Sequence, residues 1–468
     1  MAYVTDTTYA DTFFRELSPA WLNYVAALHG VSPRPLDAAF RYLELGCGFG
    51  TSSIINAAAF PQGAFDACDF NIEHIEGGRA YAAQLGVENV HFHTTPFREL
   101  LDMDLAPCDF IVLHGVYSWV DAATRDVLRQ LIAKLLLPGG LLYLSYNALP
   151  GWSAELPLRK LLVELAATDA GTAAETSERA AIHIDVLNRA GLRYFSANPA
   201  ARSAVEAYTR GEGHYLAHEF MNAAWEPFYG VDVADDFSAL GLSLVGSATL
   251  ANNHLPLLLD AASAEAIATL ASPRQQQLGI DFAINQRFRR DVFVRAHVAL
   301  PRSDYLEASV IGCVTDVDDI GPVVRVPRGE IRFQEPFIRD VRALFGQGAW
   351  PFGAAVDQLS QQGQDRAGIS RNLLFLVAAG ALAPFARGSE TAAAEPAMFA
   401  SPMVERAIAA ASSRAGRQVI PSEVAGNGVE IDAGIATALL EWHQGRTRRA
   451  DAAFSRRLDT LLRLGIVV

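Results

Sequence analysis

The sequence predicts an α/β fold built on a doubly wound, mainly parallel sheet, and three observations carry that prediction. Apolar runs alternate five times with helix-periodic segments between Arg41 and Trp152. The first run, Tyr42 to Leu45, ends in a turn with glycines at positions 46, 48 and 50 and leads into the helical stretch TSSIINAAAF. The second run, GAFDACDFN, ends on Asp69, 19 residues past Gly50.

A buried strand feeding a glycine turn and a helix start is the opening unit of a nucleotide-binding sheet. Glycines there remove the Cβ atoms that would hold a ligand off the backbone, and they permit positive φ. The spacing is G-x-G-x-G, with Thr51 standing where a glycine would complete G-x-G-x-x-G. A pyrophosphate dinucleotide is therefore disfavoured, and a ligand lacking a phosphate bridge fits better. Glu44, just before the turn, would repel phosphate and attract the amino end of a methionine moiety. Asp69, at the carboxyl end of the second strand, is placed to accept both hydroxyls of a ribose. The competing reading is an acid that caps the helix beginning near Asn71.

VHFHTTPF reads as a third strand and CDFIVLHGVYSWV as a fourth. Leu128, Leu131, Ile132 and Leu135 follow at i, i+3, i+4, i+7, which gives a helix that stops at Pro138, Gly139 and Gly140. LLYLSYNALPGW is the fifth strand. Such a sheet binds its ligand at the carboxyl edge.

Composition narrows the function classes. The chain has 468 residues, 51% of them apolar and 19% charged, with 25 Phe, 13 Tyr and 6 Trp, enough for several packed cores. The net charge is −14, divided as −16 over the first 330 residues and +2 over the rest. An acidic body of that size argues against nucleic acid and attracts cationic partners. Only Lys134 and Lys160 are lysines, and a GC-rich genome is the simple explanation. Cys47, Cys68, Cys108 and Cys313 lack C-x-x-C spacing and read as free thiols of a reducing compartment. The N-terminus shows no signal-peptide pattern, and the longest nearly apolar stretch, from Leu373, is broken by Gly380 and Pro384, short of the ~18 residues of a membrane span. A cytoplasmic protein without a membrane span is expected.

ELGCGFG, Asp69 and LLLPGGLLYLS resemble the class I S-adenosylmethionine-dependent methyltransferases. HGVYSWV, SYNALPGW, HYLAHEF with WEPFY, and NQRFRRDVFVR more narrowly resemble bacterial methyltransferases that carry a methyltransferase regulatory domain. That group includes protein-lysine methyltransferases acting on outer-membrane proteins. The similarity runs from about Tyr9 to Val298. It implies a Rossmann-like, seven-stranded methyltransferase sheet formed by residues 1–152 and 231–300, with FSALGLSLVGSATL and RRDVFVRAHV supplying the last two strands, the final one antiparallel. Residues 153–230 would then be a helical insertion over the carboxyl edge, serving as a regulatory, lid or dimerisation element. Residues 301–330 read as a connector, and 331–468 as a mainly helical, winged-helix-like C-terminal domain.

The resemblance also implies the cofactor, S-adenosyl-L-methionine, and its contacts: Glu44, Gly46, Cys47, Gly48, Gly50, Asp69, Phe70, Thr94, Thr95, Pro96 and His114. Many members place an acid after the third strand to hold the adenine amine; here the chain reads Thr94, Thr95, Pro96. Methyl transfer is an in-line displacement that asks the protein to align a lone pair and exclude water, with no metal. Aromatic faces stabilise the cationic groups on either side. The loops after the fourth and fifth strands therefore supply acceptor-site candidates: His114, Tyr117 and Trp119, then Tyr146, Asn147 and Trp152. The competing reading for Tyr117 and Trp119 is plain core packing. In the insertion, Tyr215, His218 and Glu219 are further candidates at the mouth of the cleft. His214, His218 and Glu219 do not match H-E-x-x-H, so a metal is not expected there.

Beyond residue 330, RNLLFLVAAGALAPF and SRRLDTLLRLGIVV resemble closing helices of small modules, and residues 387–403 read as an exposed loop. The RTRR run at 446–449 is interleaved with acids nearby, which favours protein contact over DNA. The function expected is N-methylation of lysine side chains on a protein with accessible lysines. A small-molecule O- or N-methyltransferase and a non-catalytic, cofactor-binding regulatory protein are the alternatives. A homodimer is compatible with either the insertion or the C-terminal domain as contact surface.

Overall fold

The apolar runs form one sheet because both of its faces are covered. The computed structural model describes residues 12–210, 220–222, 224–296, 304–360, 365–390, 398–413, 417–445 and 452–468. His214, Tyr215, His218, Glu219 and the RTRR run lie outside the described residues. The strands are β1 (Phe40–Leu45), β2 (Gly63–Asp69), β3 (Val90–Thr94), β4 (Cys108–Leu113), β5 (Leu136–Leu149), β6 (Phe228–Tyr229), β7 (Leu242–Ser247) and β8 (Phe288–Arg295). Seven of them run in the order β3-β2-β1-β4-β5-β8-β7, and the two-residue β6 pairs in parallel with the end of β5. β8 is antiparallel to both neighbours, with Leu141 opposite Val294 and Asn147 opposite Phe288. The order reverses at β1, so a crevice opens between the carboxyl ends of β1 and β4.

Successive side chains on a strand point to opposite faces. Tyr42, Phe65, Phe110 and Tyr143 pack on one face, and Leu43, Ile111 and Leu142 on the other. The first face is covered by α1 (Pro19–Leu28), α2 (Thr51–Ala59) and α3 (Ile72–Leu85). The second is covered by α4 (Phe97–Leu100), α5 (Ala122–Leu135) and the helix Gly230–Ser238. Local chemistry starts these helices where the sequence suggests. Ser18 caps α1 ahead of Pro19, Asn71 caps α3 by accepting the Glu73 amide, and Asp121 caps α5 by accepting that of Thr124. α5 ends at Leu135, three residues before the expected proline stop, because Leu136 already pairs with Cys108 of β4.

The insertion is helical, as expected from its periodicity: α6 (Leu156–Ala167), α7 (Ala173–Arg189), α8 (Arg193–Ala197) and α9 (Pro199–Arg210). It has its own core, in which Trp152, Leu162, Ile184, Phe195, Val205, Phe220 and Trp225 meet. The C-terminal part is mainly helical around a small sheet of Ala383–Phe385, Val310–Gly312, Gly348–Pro351 and Ser389–Glu390, plus the hairpin Arg417–Ser422 and Asn427–Asp432. Val310–Gly312 comes from the segment read as a connector and is paired on both sides within that sheet. The C-terminal core is continuous with the first face of the large sheet: Ile338, Leu373, Ile408 and Leu461 belong to the same buried cluster as Tyr42 and Phe60. Among the described residues no helix is long and apolar enough to cross a membrane.

Candidate functional site

The carboxyl ends of β1, β2, β4 and β5 meet at one edge, and the glycine turn sits at its centre. Gly46, Gly48 and Gly50 all adopt positive φ, at 76°, 56° and 68°. Gly46 is required by space, since a Cβ there would lie 2.4 Å from Val116 Cγ2. Gly48 differs: a Cβ on it would meet no heavy atom within 4 Å, so its outer side faces open space. The amides of Gly46 and Cys47 both donate to the Cys68 carbonyl, at 2.8 and 3.0 Å, fixing the turn against β2.

Asp69, 8% exposed, closes the other side. Its Oδ2 accepts the Gly48 amide and its Oδ1 the Asn71 amide, each at 2.9 Å. His74 Nδ1 stands 3.8 Å from Oδ1. Each carboxylate oxygen keeps a further lone pair, so bracing the turn does not exclude ribose hydroxyls. Glu44, 4% exposed, accepts a hydrogen bond from Ser53 Oγ. Burial pushes its carboxyl up to about 7, against the Ser53 hydrogen bond and with help from the nearby charge of Asp69. Phe70 is half-exposed, Thr94 and Pro96 are exposed, and Thr95 is partly buried with its amide on the Asp69 carbonyl at 3.1 Å.

At the end of β4, His114 Nδ1 lies 2.8 Å from the Tyr143 hydroxyl, and its ring stacks on Phe14 with centroids 3.7 Å apart. Burial, assisted by Arg290, pushes its pKa down to about 3, so the ring is neutral at physiological pH. Sequence reasoning missed Phe14 and Tyr143. Tyr143 shares the strand face of Leu141 and could have been placed by alternation, whereas Phe14 comes from a segment with no pattern linking it to residue 114.

The other acceptor-side candidates divide into three groups. Tyr117 and Tyr146 are fully enclosed: their rings pack with Phe228, and their hydroxyls are used internally, Tyr117 accepting from Arg129 Nη1 at 2.8 Å and Tyr146 donating to Asp291 Oδ2 at 2.6 Å. They support the edge from beneath. Asn147 is buried, with its backbone amide on Ser118 Oγ at 2.9 Å and its Nδ2 without a hydrogen-bond partner. Trp152 and Trp119 pack with the insertion's core; the Trp152 ring carries the Arg287 guanidinium at 3.6 Å and meets Trp225 edge-on. Under this edge Arg289 donates to two buried acids, Asp281 and Asp291 Oδ2, at 2.5 and 2.9 Å. Burial pushes Asp281 up to about 6, with Arg289 opposing.

These residues fit S-adenosylmethionine. Open space over Gly48, a carboxylate at the end of β2 with accepting capacity left, a buried acid below the turn and a neutral aromatic wall at His114 match a ribose, an ammonium and a sulfonium without phosphate. Among the described residues no group of three or more His, Cys, Asp and Glu is placed to hold a metal ion.

Comparison with known proteins agrees with this geometry. Residues 43–142 match the family model described as a methyltransferase domain, and 212–295 match the predicted methyltransferase regulatory domain. The second match runs from the end of the insertion through β7 and β8. An uncharacterized protein of Synechocystis sp., sll1526, is 32% identical over 376 residues, covering 80% of this chain and 73% of its own length. RP028 of Rickettsia prowazekii, also uncharacterized, is 31% identical over 158 residues, 34% of this chain and 62% of its own. Among solved structures, PKMT2 from Rickettsia typhi shares the fold, with a TM-score of 0.71 at 17% identity over 92% of this chain and 88% of that one. Its complex with AdoHcy superposes with a TM-score of 0.70 at 16% identity, covering 98% and 99%. The chain belongs to the class I S-adenosylmethionine-dependent methyltransferases that carry the methyltransferase regulatory domain.

Proposed function

We propose that this methyltransferase N-methylates lysine side chains of a protein substrate. The observation that supports the acceptor class most is the charge beneath the edge. Asp281 and Asp291 share the single guanidinium of Arg289, directly opposite Tyr146 and one residue from Asn147, which leaves one surplus negative charge when both acids are ionised. With −16 over the first 330 residues, that field favours the approach of an ammonium group. PKMT2 from Rickettsia typhi, which shares the fold and has been solved in complex with AdoHcy, supports the cofactor of this reading.

Bound at this edge, S-adenosylmethionine would supply an electrophilic methyl group for transfer to the acceptor nitrogen. The chain's residues position and enclose. Asp69 and the glycine turn orient the nucleoside end, and Glu44 lies below the amino-acid end. His114 is too weak a base to hold a lysine proton at neutral pH, so it is not the group that deprotonates the acceptor. Asn147, Trp119 and Trp152 are the acceptor-side residues of this reading, with Tyr117 and Tyr146 holding the edge from below. The four free thiols support a cytoplasmic setting, and the exposed Ile182 and Val186 on α7 support a homodimer.

The test is incubation with methyl-labelled cofactor and a bacterial lysate, followed by separation of macromolecules from small molecules. Label in the protein fraction as methyl-lysine is expected; label confined to small molecules refutes the acceptor class.

A further inference from the structure

Residues 12–18, which include the short 3-10 turn Arg15–Leu17, reach the edge just described ahead of α1. The Phe14 amide donates to Ser52 Oγ at 3.0 Å, in the first turn of α2 behind the glycine turn. Its ring stacks on His114 at 3.7 Å with an interplanar angle of 28°. The Leu17 carbonyl accepts from the Tyr42 hydroxyl of β1 at 3.2 Å. The segment thus touches β1, α2 and the end of β4, the three elements that frame the crevice at which the strand order reverses.

Its other side is held by the C-terminal hairpin. Asn427 Nδ2 donates to the Arg15 carbonyl at 3.1 Å, Ser18 Oγ donates to the Gly426 carbonyl, and Arg15 lies 3.8 Å from Glu430. Phe13 packs so closely on the hairpin that a Cβ at Gly428 would come within 2.8 Å of its ring. These contacts join residues about 410 positions apart, and both Ser18 and Asn427 are buried.

We propose that residues 13–18 form a strap that completes the cofactor site, with Phe14 as one of its walls and the hairpin at 417–432 as the clamp that keeps Phe14 in place. The chemistry favours this wall. His114 is held neutral, and Phe14 adds an uncharged π face beside it; a π face stabilises a sulfonium more than the neutral thioether left after transfer. An apolar cover also keeps water from the reacting carbon. The C-terminal hairpin thereby acts on the cofactor site through the residues beside Phe14. The proposal rests on the cofactor lying at this crevice and is independent of the acceptor.

The test is calorimetric binding of S-adenosylmethionine and of S-adenosylhomocysteine to the full-length protein, alongside Phe14→Ala, Phe14→Leu and Asn427→Ala, with amide exchange followed at Phe14 and Leu17. Phe14→Ala is expected to weaken S-adenosylmethionine binding at least tenfold and S-adenosylhomocysteine binding less. Phe14→Leu, which keeps the packing, lowers the ratio of the two affinities without changing the melting temperature. Asn427→Ala weakens binding several-fold and speeds exchange at both amides. Wild-type binding with Phe14→Ala within twofold overturns the wall, and faster exchange in Asn427→Ala at unchanged affinity overturns the clamp. Failure of the wild type to bind overturns the cofactor placement together with the strap.

Discussion

The Gly48 amide donates to Asp69 Oδ2 at 2.9 Å, tying the glycine turn of β1 to the carboxyl end of β2. One carboxylate therefore shapes the loop and faces the space the loop leaves open. Asp69→Ala is expected to weaken S-adenosylmethionine binding by ~2 kcal/mol or more, since a buried charge-assisted contact is lost. Calorimetry checks this; an unchanged dissociation constant refutes the role of Asp69.

Two glycines of the turn separate packing from binding. Gly46→Ala meets Val116 at 2.4 Å in addition to its positive φ and should lower the melting temperature. Gly48→Ala carries backbone strain of about 1 kcal/mol but no clash, and it puts a methyl group where the ligand approaches. It should therefore lose more cofactor affinity than stability. Equal thermal losses with equal retention of binding would contradict the assignment.

Glu44 makes stability depend on pH. Its folded value of about 7 lies above the ordinary 4.5, so the folded state holds this proton more tightly than the unfolded chain. That contribution is fully present below pH 4.5 and is lost as pH rises through 7. Glu44→Gln cannot ionise, so the melting temperature of the wild type relative to this variant should fall between pH 5 and pH 8. The difference corresponds to on the order of 3 kcal/mol. A constant gap across that range would show that Glu44 is not buried as a neutral acid.

Arg289 is the shared ion-pair partner of two buried acids. Arg289→Met strands both, at a cost of about 3–5 kcal/mol. Asp281→Asn removes one of them while keeping an oxygen for the guanidinium, and should cost far less. Thermal melts that rank the two variants the other way would contradict the shared-cation picture.

Much of this was legible because the signals are local. A strand, three glycines at fixed spacing and an acid 19 residues later place Glu44, Gly48 and Asp69 together without any long-range information. The antiparallel β8 and the place of the insertion were legible through resemblance, since β5 and β8 are separated by the whole insertion, whereas the insertion's helices were legible from their apolar periodicity. Tyr117 and Tyr146 show where pattern reading fails: aromatic residues after a strand look alike whether they face the edge or the core, and only the packing of Phe228, Phe237 and Asp291 decides. Phe14 carried no signal, because its partners Ser52 and His114 are 38 and 100 positions away and its place is set by a hairpin near the far end of the chain. The segment 301–330 is strand-like in pattern, but the sheet that Val310–Gly312 joins is visible only once its neighbours at 348–351 and 383–385 are known.

The most direct measurement of the central claim is peptide-level mass spectrometry of the protein fraction after reaction with isotopically labelled S-adenosylmethionine, comparing wild type with Asp69→Ala. The account predicts label on lysine Nε atoms of substrate proteins with the wild type and its loss with the variant. Label on other atoms, or none in protein while small molecules become methylated, would contradict it.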